Sequence, residues 1–252
     1  MNLLQTDTNE IERNDIIGAT SPVMQFLGAG GKGFFNAPIN NRKPQTANRK
    51  PQTFQGLVLT RTLVCFPIVH TQADLGGLGE AVARSTMMKV GQRGLYHKTK
   101  AIEQVWTRIE RAVRGLNLDF SKTRLYQDGL PVCGREAEIV AQMAQTGSRN
   151  HQLLQALMAK GAILMGTESW ELLKQEYQMA KASLASAAPA GRPEVSEAQA
   201  QGDALLEQRD RFIAQRINET LQPGETGLLF LGMLHSVDKH LSPDIRVIHP
   251  LR

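Results

Sequence analysis

The sequence has few of the residues that mark specialised classes of protein. Its 252 residues include only two cysteines, Cys65 and Cys133, which form no CxxC pair and no disulfide framework. A reducing compartment is therefore expected. Aromatic residues make up 5% of the chain, and no aromatic–basic interleaving or basic helix stands out. We therefore expect no nucleic-acid partner.

Long apolar runs are also absent. No run approaches the roughly 18 residues that a membrane-spanning helix needs, so no membrane association is expected. The first residues, MNLLQTDTNEIERND, contain acidic side chains and no apolar segment, which is unlike a secretory signal. Hydrophobic residues at 41% and charged residues at 21% are ordinary values for a globular protein. These features predict a cytoplasmic protein.

Residues 1–55 predict a disordered tail rather than a folded domain. A tandem repeat, NRKPQTA followed by NRKPQTF, occupies residues 41–54, and the proline in each copy is incompatible with a helix or a central strand. Much of the net charge of +5 lies in this repeat, so the basic balance is interpreted as a basic tail. The glycine-rich stretch before it lacks phosphate-loop spacing, because Gly33 rather than Ser or Thr follows Lys32.

From residue 56 onward, short apolar runs alternate with segments of helical periodicity. The apolar runs lie at 56–70, 123–127, 162–165, 227–231 and 245–248. The helical segments between them lie at 80–90 and 101–116, which Gly91 is expected to separate, then from 135, from 150, from 170 and at 203–221. This alternation predicts a single α/β domain over residues 56–252, with a mostly parallel or mixed sheet and helices on its faces.

The two most apolar strands each end in a histidine. The run GLVLTRTLVCFPIVH ends at His70, and GLLFLGMLH ends at His235. A neutral imidazole serves as a general base or as a metal ligand. The structural alternative is a histidine that only makes a backbone hydrogen bond at the end of its strand.

Acidic residues follow the other predicted strands. Asp128 comes after the run at 123–127 and Glu168 after the run at 162–165, while Asp74 lies four residues beyond His70. In a parallel sheet the loops after the strands gather at one edge. We therefore expect His70, His235, Asp128 and Glu168 to converge there as a catalytic group, with Asp74 close by.

Four further residues support an alternative interpretation. Arg149 and His151 begin a predicted helix, whose N-terminal N–H groups suit an anion, and Arg211 can hold a carboxylate or phosphate. Cys133 precedes a helix beside Arg135, a setting that favours a reactive thiol, or it is a small buried residue in a tight loop. The alternative function is a non-catalytic module that binds a small anion or regulates a partner.

Residues 209–248 carry a resemblance to a known family. An Arg-Asp pair, Arg209-Asp210, lies on a predicted helix and is followed by an apolar strand that ends in Gly-Met-Leu-His at 232–235. This order resembles the C-terminal signature of the TraB/Tiki-type superfamily, which includes ChaN-like and erythromycin-esterase-like proteins. The family's early histidine motif has its counterpart in Pro-Ile-Val-His at 67–70, where Pro67-Ile68 replaces the usual Gly-Thr or Gly-Glu. The resemblance covers the two ends of the domain.

The resemblance implies an activity and a cofactor. Some members of the superfamily are metal-dependent proteases or hydrolases. A metal-assisted hydrolase of unknown substrate is therefore the leading hypothesis, with Mn, Zn or Co held by His70, His235 and Asp74. Asp74 or Glu80 would stand in for the glutamate that the early motif lacks.

Overall fold

The computed structural model describes residues 60–185 and 193–251. The predicted tail and its tandem repeat lie outside the described residues. The strands span Arg61–Ile68 (β1), Thr123–Gln127 (β2), Ile163–Met165 (β3), Thr226–Gly232 (β4) and Ile245–Ile248 (β5). The helices span Gly79–Arg114 (α1), Glu136–Gln145 (α2), Arg149–Met158 (α3), Trp170–Ala185 (α4) and Pro193–Thr220 (α5), and short 3-10 helices span Gln72–Leu78, Phe120–Lys122 and Val237–His240.

The five strands form one sheet in the order β3-β2-β4-β1-β5, and every pair of neighbours is parallel. The prediction of an α/β fold with a mostly parallel sheet is confirmed. β1 and β4 are neighbours, with Ile68 opposite Gly232 at their carboxyl ends. The chain therefore leaves these two strands side by side, and the segments that carry His70 and His235 begin next to each other.

Alternating side chains of the sheet face two separate cores. Phe66 and Phe230 stack at 5.3 Å on the face that α1, α2 and α3 cover. Leu63 and Leu229 face the other way and pack against α5 and the 3-10 helix Val237–His240. The connections that leave β1 and β2 thus cross one face, while α5 and the segment after β4 cover the other. Such reversals open a crevice at the carboxyl edge of a parallel sheet, where ligands bind.

Two helix boundaries differ from their prediction. Within α1, Gly91 separates two helical segments as predicted, because its φ of 68° and ψ of 175° are not helical. The second segment starts directly after Gly91 rather than at the predicted residue 101, since no proline interrupts the residues that follow. α5 begins at Pro193, ten residues before the predicted start at 203. Among the helices at residues 60–185 and 193–251, none has an apolar stretch long enough to cross a membrane.

Gly166 is a packing constraint between β3 and the loop after β2. A Cβ at this position would lie 2.7 Å from the Cα of Val132 and 3.0 Å from the carbonyl oxygen of Pro131. We expect Gly166→Ala to lower the free energy of unfolding by about 1–3 kcal/mol, because backbone atoms must shift to admit the methyl group. Urea denaturation measures the change.

Gly115→Ala is the matched control. Gly115 has a φ of −78°, and a Cβ there would make its nearest contact at 3.4 Å, to the carbonyl oxygen of Ala112. This substitution should be neutral or should raise stability by up to about 1 kcal/mol, since alanine restricts the unfolded chain. Equal losses in both variants would contradict the packing argument for Gly166.

Candidate active site at the carboxyl edge of the sheet

A buried arginine lies at the centre of the candidate site. Arg209, on α5, has a side chain that is 1% exposed. Its guanidinium donates to Glu168 at 2.6 and 2.7 Å, to Asp128 Oδ1 at 2.9 Å and to Glu176 Oε2 at 2.8 Å. Because a buried charge must be paired, these bonds fix the ends of β2 and β3 and helix α4 relative to α5.

Asp128 lies between the two strand-end histidines. Its Oδ2 contacts His70 Nε2 at 3.3 Å and accepts the backbone N–H of Gly232 at 2.9 Å. Its Oδ1, which also bonds Arg209, lies 3.7 Å from His235 Nε2. The structure thus brings His70, Asp128 and His235 together around one carboxylate, and Glu168 lies on the same arginine.

A second carboxylate orients His235. Asp210 Oδ1 lies 2.6 Å from His235 Nδ1, and Asp210 Oδ2 accepts the backbone N–H of Ser236 at 2.8 Å. A carboxylate only accepts hydrogen bonds, so the neutral imidazole carries its proton on Nδ1. The unprotonated Nε2 then faces Asp128. The seven residues of this buried group are called the edge cluster below: His70, Asp128, Glu168, Glu176, Arg209, Asp210 and His235.

Charges within the edge cluster decide the protonation of its histidines. Burial alone lowers the pKa of His70, but the hydrogen bond and the charge of Asp128 outweigh it, so this pKa lies above its ordinary value. Burial likewise lowers the pKa of His235, but the charge of Asp128 and the hydrogen bond with Asp210 outweigh it, so this pKa is also raised. Both imidazoles therefore hold a proton to a higher pH than an exposed histidine does.

Of the acids beside Arg209, Asp128 and Glu168 have pKa values that are shifted in opposite directions. Burial raises the pKa of Asp128, but His235, His70 and Arg209 together hold it well below the usual range. Burial dominates at Glu168, whose pKa is raised in spite of Arg209. Asp128 is therefore the permanent negative charge that the two histidines share.

Asp74 and His151 form a neighbouring cluster with Ser148. Asp74 Oδ2 accepts the N–H and the hydroxyl of Thr71 at 2.6 and 2.8 Å, and Asp74 Oδ1 accepts the hydroxyl of Ser148. Burial raises the pKa of Asp74, but His151, His70 and Ser148 hold it well below its ordinary value. His151 Nδ1 lies 2.7 Å from Ser148 Oγ and 3.6 Å from Asp74 Oδ1.

This second cluster resembles a Ser-His-Asp triad in composition only. The single hydroxyl proton of Ser148 goes to Asp74, so His151 Nδ1 donates to Ser148 and cannot take its proton. Ser148 also accepts the N–H of His151 as the N-cap of α3. The cluster therefore ties the loop after β1 to the start of α3.

Three predicted ligand-binding residues lie apart from the edge cluster. Arg149 pairs with Glu110 at 2.5 Å, and Arg211 pairs with Glu207 at 3.1 Å on the exposed side of α5. Cys133 is exposed rather than buried, and its backbone N–H donates to the carboxylate of Glu136 at the start of α2. The structure does not bring these residues together at one anion site.

Two acidic residues of the edge cluster were not predicted as site residues: Glu176, which pairs with Arg209, and Asp210, which bonds His235. Glu176 carried a usable signal, since it shares the buried stripe of α4 with Leu173 and Ala180. Asp210 was visible in the Arg-Asp pair, but its bond to a histidine 25 residues later was not.

Two buried amide side chains have polar atoms without a partner, and one of them, Gln127, lies next to Asp128. Gln127 Oε1 and both side-chain polar atoms of Asn150 have no hydrogen-bond partner among the described residues. Gln127 precedes Asp128 and donates from Nε2 to the Asp128 carbonyl at 3.0 Å. Buried polar atoms are normally satisfied, so Gln127 Oε1 is a candidate contact for a polar ligand.

Comparison with known proteins finds no relative of this chain. No protein-family model matches the chain, and neither the curated proteins nor the solved structures contain a match. The TraB/Tiki resemblance therefore stays a prediction. The structure itself defines a parallel α/β protein with a buried His-Asp-His group at the carboxyl edge of its sheet.

We expect Arg209→Met to lower the free energy of unfolding by about 3–5 kcal/mol. The variant leaves the carboxylates of Asp128, Glu168 and Glu176 buried without their cation. Arg211→Met is the matched control, because Arg211 is exposed and its change should stay within about 0.5 kcal/mol. Chemical denaturation at neutral pH compares the two variants, and equal stabilities would refute the role of Arg209.

Stability should fall as the pH rises above about 6.5. The raised pKa of His70 and of His235 means that each contributes stability below its unfolded pKa, which is lost as the pH rises through its folded pKa. The free energy of unfolding, measured by urea denaturation from pH 6 to pH 9, should therefore fall less steeply with pH for His70→Gln than for the wild type. His97→Gln, at an exposed position of α1, should keep the wild-type slope.

Proposed function

We propose that the protein is a hydrolase whose acid–base chemistry is performed by His235 and His70 on the shared carboxylate of Asp128. The observation that carries this proposal is the orientation of His235. Asp210 holds its Nδ1–H at 2.6 Å, which leaves Nε2 as the basic atom at the carboxyl edge. A histidine oriented by a carboxylate is the usual arrangement of a general base.

The two histidines divide the proton transfers between them. In the working state His235 Nε2 takes a proton from the attacking water, and Asp210 stabilises the imidazolium that forms. Asp128 contacts His70 directly and stabilises its proton, so His70 serves as the acid for the leaving group. The active form thus has one neutral and one protonated imidazole.

Charge favours a neutral or cationic substrate over a small anion. The edge cluster holds four carboxyl groups against one guanidinium and two imidazoles. With one imidazole neutral, the acidic groups outnumber the basic ones. An anionic ligand would be repelled, so the geometry supports the hydrolase hypothesis over the anion-binding module.

The metal ligands that the resemblance implies do not fit a cation in this arrangement. Both oxygens of Asp74 accept hydrogen bonds from Thr71 and Ser148, and the Arg209 guanidinium lies 2.9 Å from Asp128 Oδ1. A cation beside Asp128 would be repelled by this guanidinium. No step of the proposed reaction is therefore routed through a metal held by His70, His235 and Asp74.

A hydrolysis screen tests the proposal. Neutral and cationic esters and amides with chromogenic leaving groups are offered to the wild type, and transfer of ¹⁸O from labelled water to the product identifies hydrolysis. We expect turnover that is lost in His235→Gln. His240→Gln is the control, since His240 contacts Glu207 at the surface. A folded His235→Gln variant with wild-type turnover would refute the proposal.

We expect Asp210→Asn to lower kcat by about 10²–10⁴-fold. The amide can donate to Nδ1, which moves the imidazole proton to Nε2 and removes the base. KM should change little, because Asp210 lies on the Nδ1 side of the His235 ring, away from the basic Nε2. Steady-state kinetics on a substrate from the screen, with circular dichroism to check folding, measures the effect. A change confined to KM would assign Asp210 to binding instead.

A further inference from the structure

Three side chains of types that bind metal ions lie close together outside the edge cluster. Among the described residues, Cys65, Asp238 and His249 form the one group of three such residues whose ligand atoms all lie within 4.8 Å of one another. We propose that these three residues form a zinc site. The inference does not depend on the proposed hydrolase activity, since it rests on different residues.

The sheet register explains why two of these residues are adjacent. β1 and β5 are parallel with Val64 opposite Ile248, so Cys65 and His249 occupy the next pair of positions. Cys65 faces the core that the 3-10 helix Val237–His240 covers. Asp238, in the first turn of that helix, places Oδ2 2.9 Å from His249 Nε2. Three elements thus converge on one point.

The chemistry of the three ligand atoms determines which metal ion they favour. A thiolate with an imidazole and a carboxylate suits Zn²⁺ or Co²⁺, whereas Mg²⁺ and Ca²⁺ prefer oxygen ligands. Ligand atoms around tetrahedral zinc lie about 3.4 Å apart for bonds of about 2.0–2.3 Å. The 2.9 Å contact between Asp238 and His249 must therefore widen by a few tenths of an ångström. Asp238 is exposed, and it can make this adjustment without moving the core.

A pocket beside the three side chains leaves room for a fourth ligand of the zinc. It has a volume of about 40 Å³ and is lined by all three residues together with Gly232, Met233 and His235. Zinc sites with three protein ligands keep the fourth position for water or a ligand. The pocket is large enough for a water molecule, because one needs about 10–15 Å³. The proposed zinc thus has an exchangeable position that faces the pocket.

Metal binding is tested on the full chain, purified without a polyhistidine tag. Elemental analysis should find one zinc per chain, and replacement by Co²⁺ should give a thiolate-to-cobalt charge-transfer band. Cys65→Ala should abolish the band. Asp238→Asn and His249→Gln should weaken zinc binding by at least about 100-fold, since even outer-shell partners contribute about 10–100-fold. These two positions are exposed and half-buried, so both variants should fold.

Matched controls separate this site from other thiols and imidazoles. Cys133→Ser removes the exposed cysteine, and His240→Gln removes a histidine of the same 3-10 helix. Both should keep the zinc and the charge-transfer band. His235→Gln should also keep the zinc, which distinguishes a failure of the proposed hydrolase from a failure of the metal site.

Three results would overturn the inference. One is a wild-type protein that holds no zinc and gives no charge-transfer band after loading. Another is zinc that persists in both Asp238→Asn and His249→Gln. The last is zinc lost from His235→Gln but retained by Cys65→Ala, which would place the metal in the edge cluster.

Discussion

The arrangement of the site depends on one buried guanidinium. Arg209 contributes donors to Asp128, Glu168 and Glu176, which come from the end of β2, the segment after β3 and helix α4. None of these carboxylates has enough solvent contact to remain charged alone. The arginine therefore fixes where Asp128 lies, and Asp128 in turn fixes the separation of the two histidines.

The sheet topology brings the two histidine-bearing segments together. β1 and β4 are far apart in sequence but adjacent in the sheet, and each is followed within three residues by a histidine. The indole of Trp106 holds the end of β1 through a 3.0 Å bond to the Val69 carbonyl. Asp128 also receives the N–H of Gly232, so the ends of β2 and β4 are joined directly. Bonds at the strand ends thus hold Asp128 and the segments that carry the two histidines at one edge of the sheet.

The sequence predicted the strand-end residues well because their signal is local. His70 and His235 end apolar runs, and Asp128 and Glu168 follow shorter ones, so a parallel sheet was enough to bring them to one edge. Pairing between side chains was not predictable in the same way. Arg209 reaches three acids that lie 33 to 81 residues away, and nothing in its helix indicates which carboxylates it meets. The group at Cys65, His249 and Asp238 was missed because it depends on the register of β1 and β5.

The four-residue ion cluster around Arg209 also limits how this sequence can diverge. Loss of any one acid leaves the guanidinium undercompensated, and loss of the arginine leaves three acids without a partner. Single replacements at these positions pass through an unstable intermediate, whereas a joint replacement by apolar residues of similar volume is tolerated. Positions 128, 168, 176 and 209 should therefore change together in related sequences or not at all, and such co-variation would mark the fold even where overall similarity has been lost.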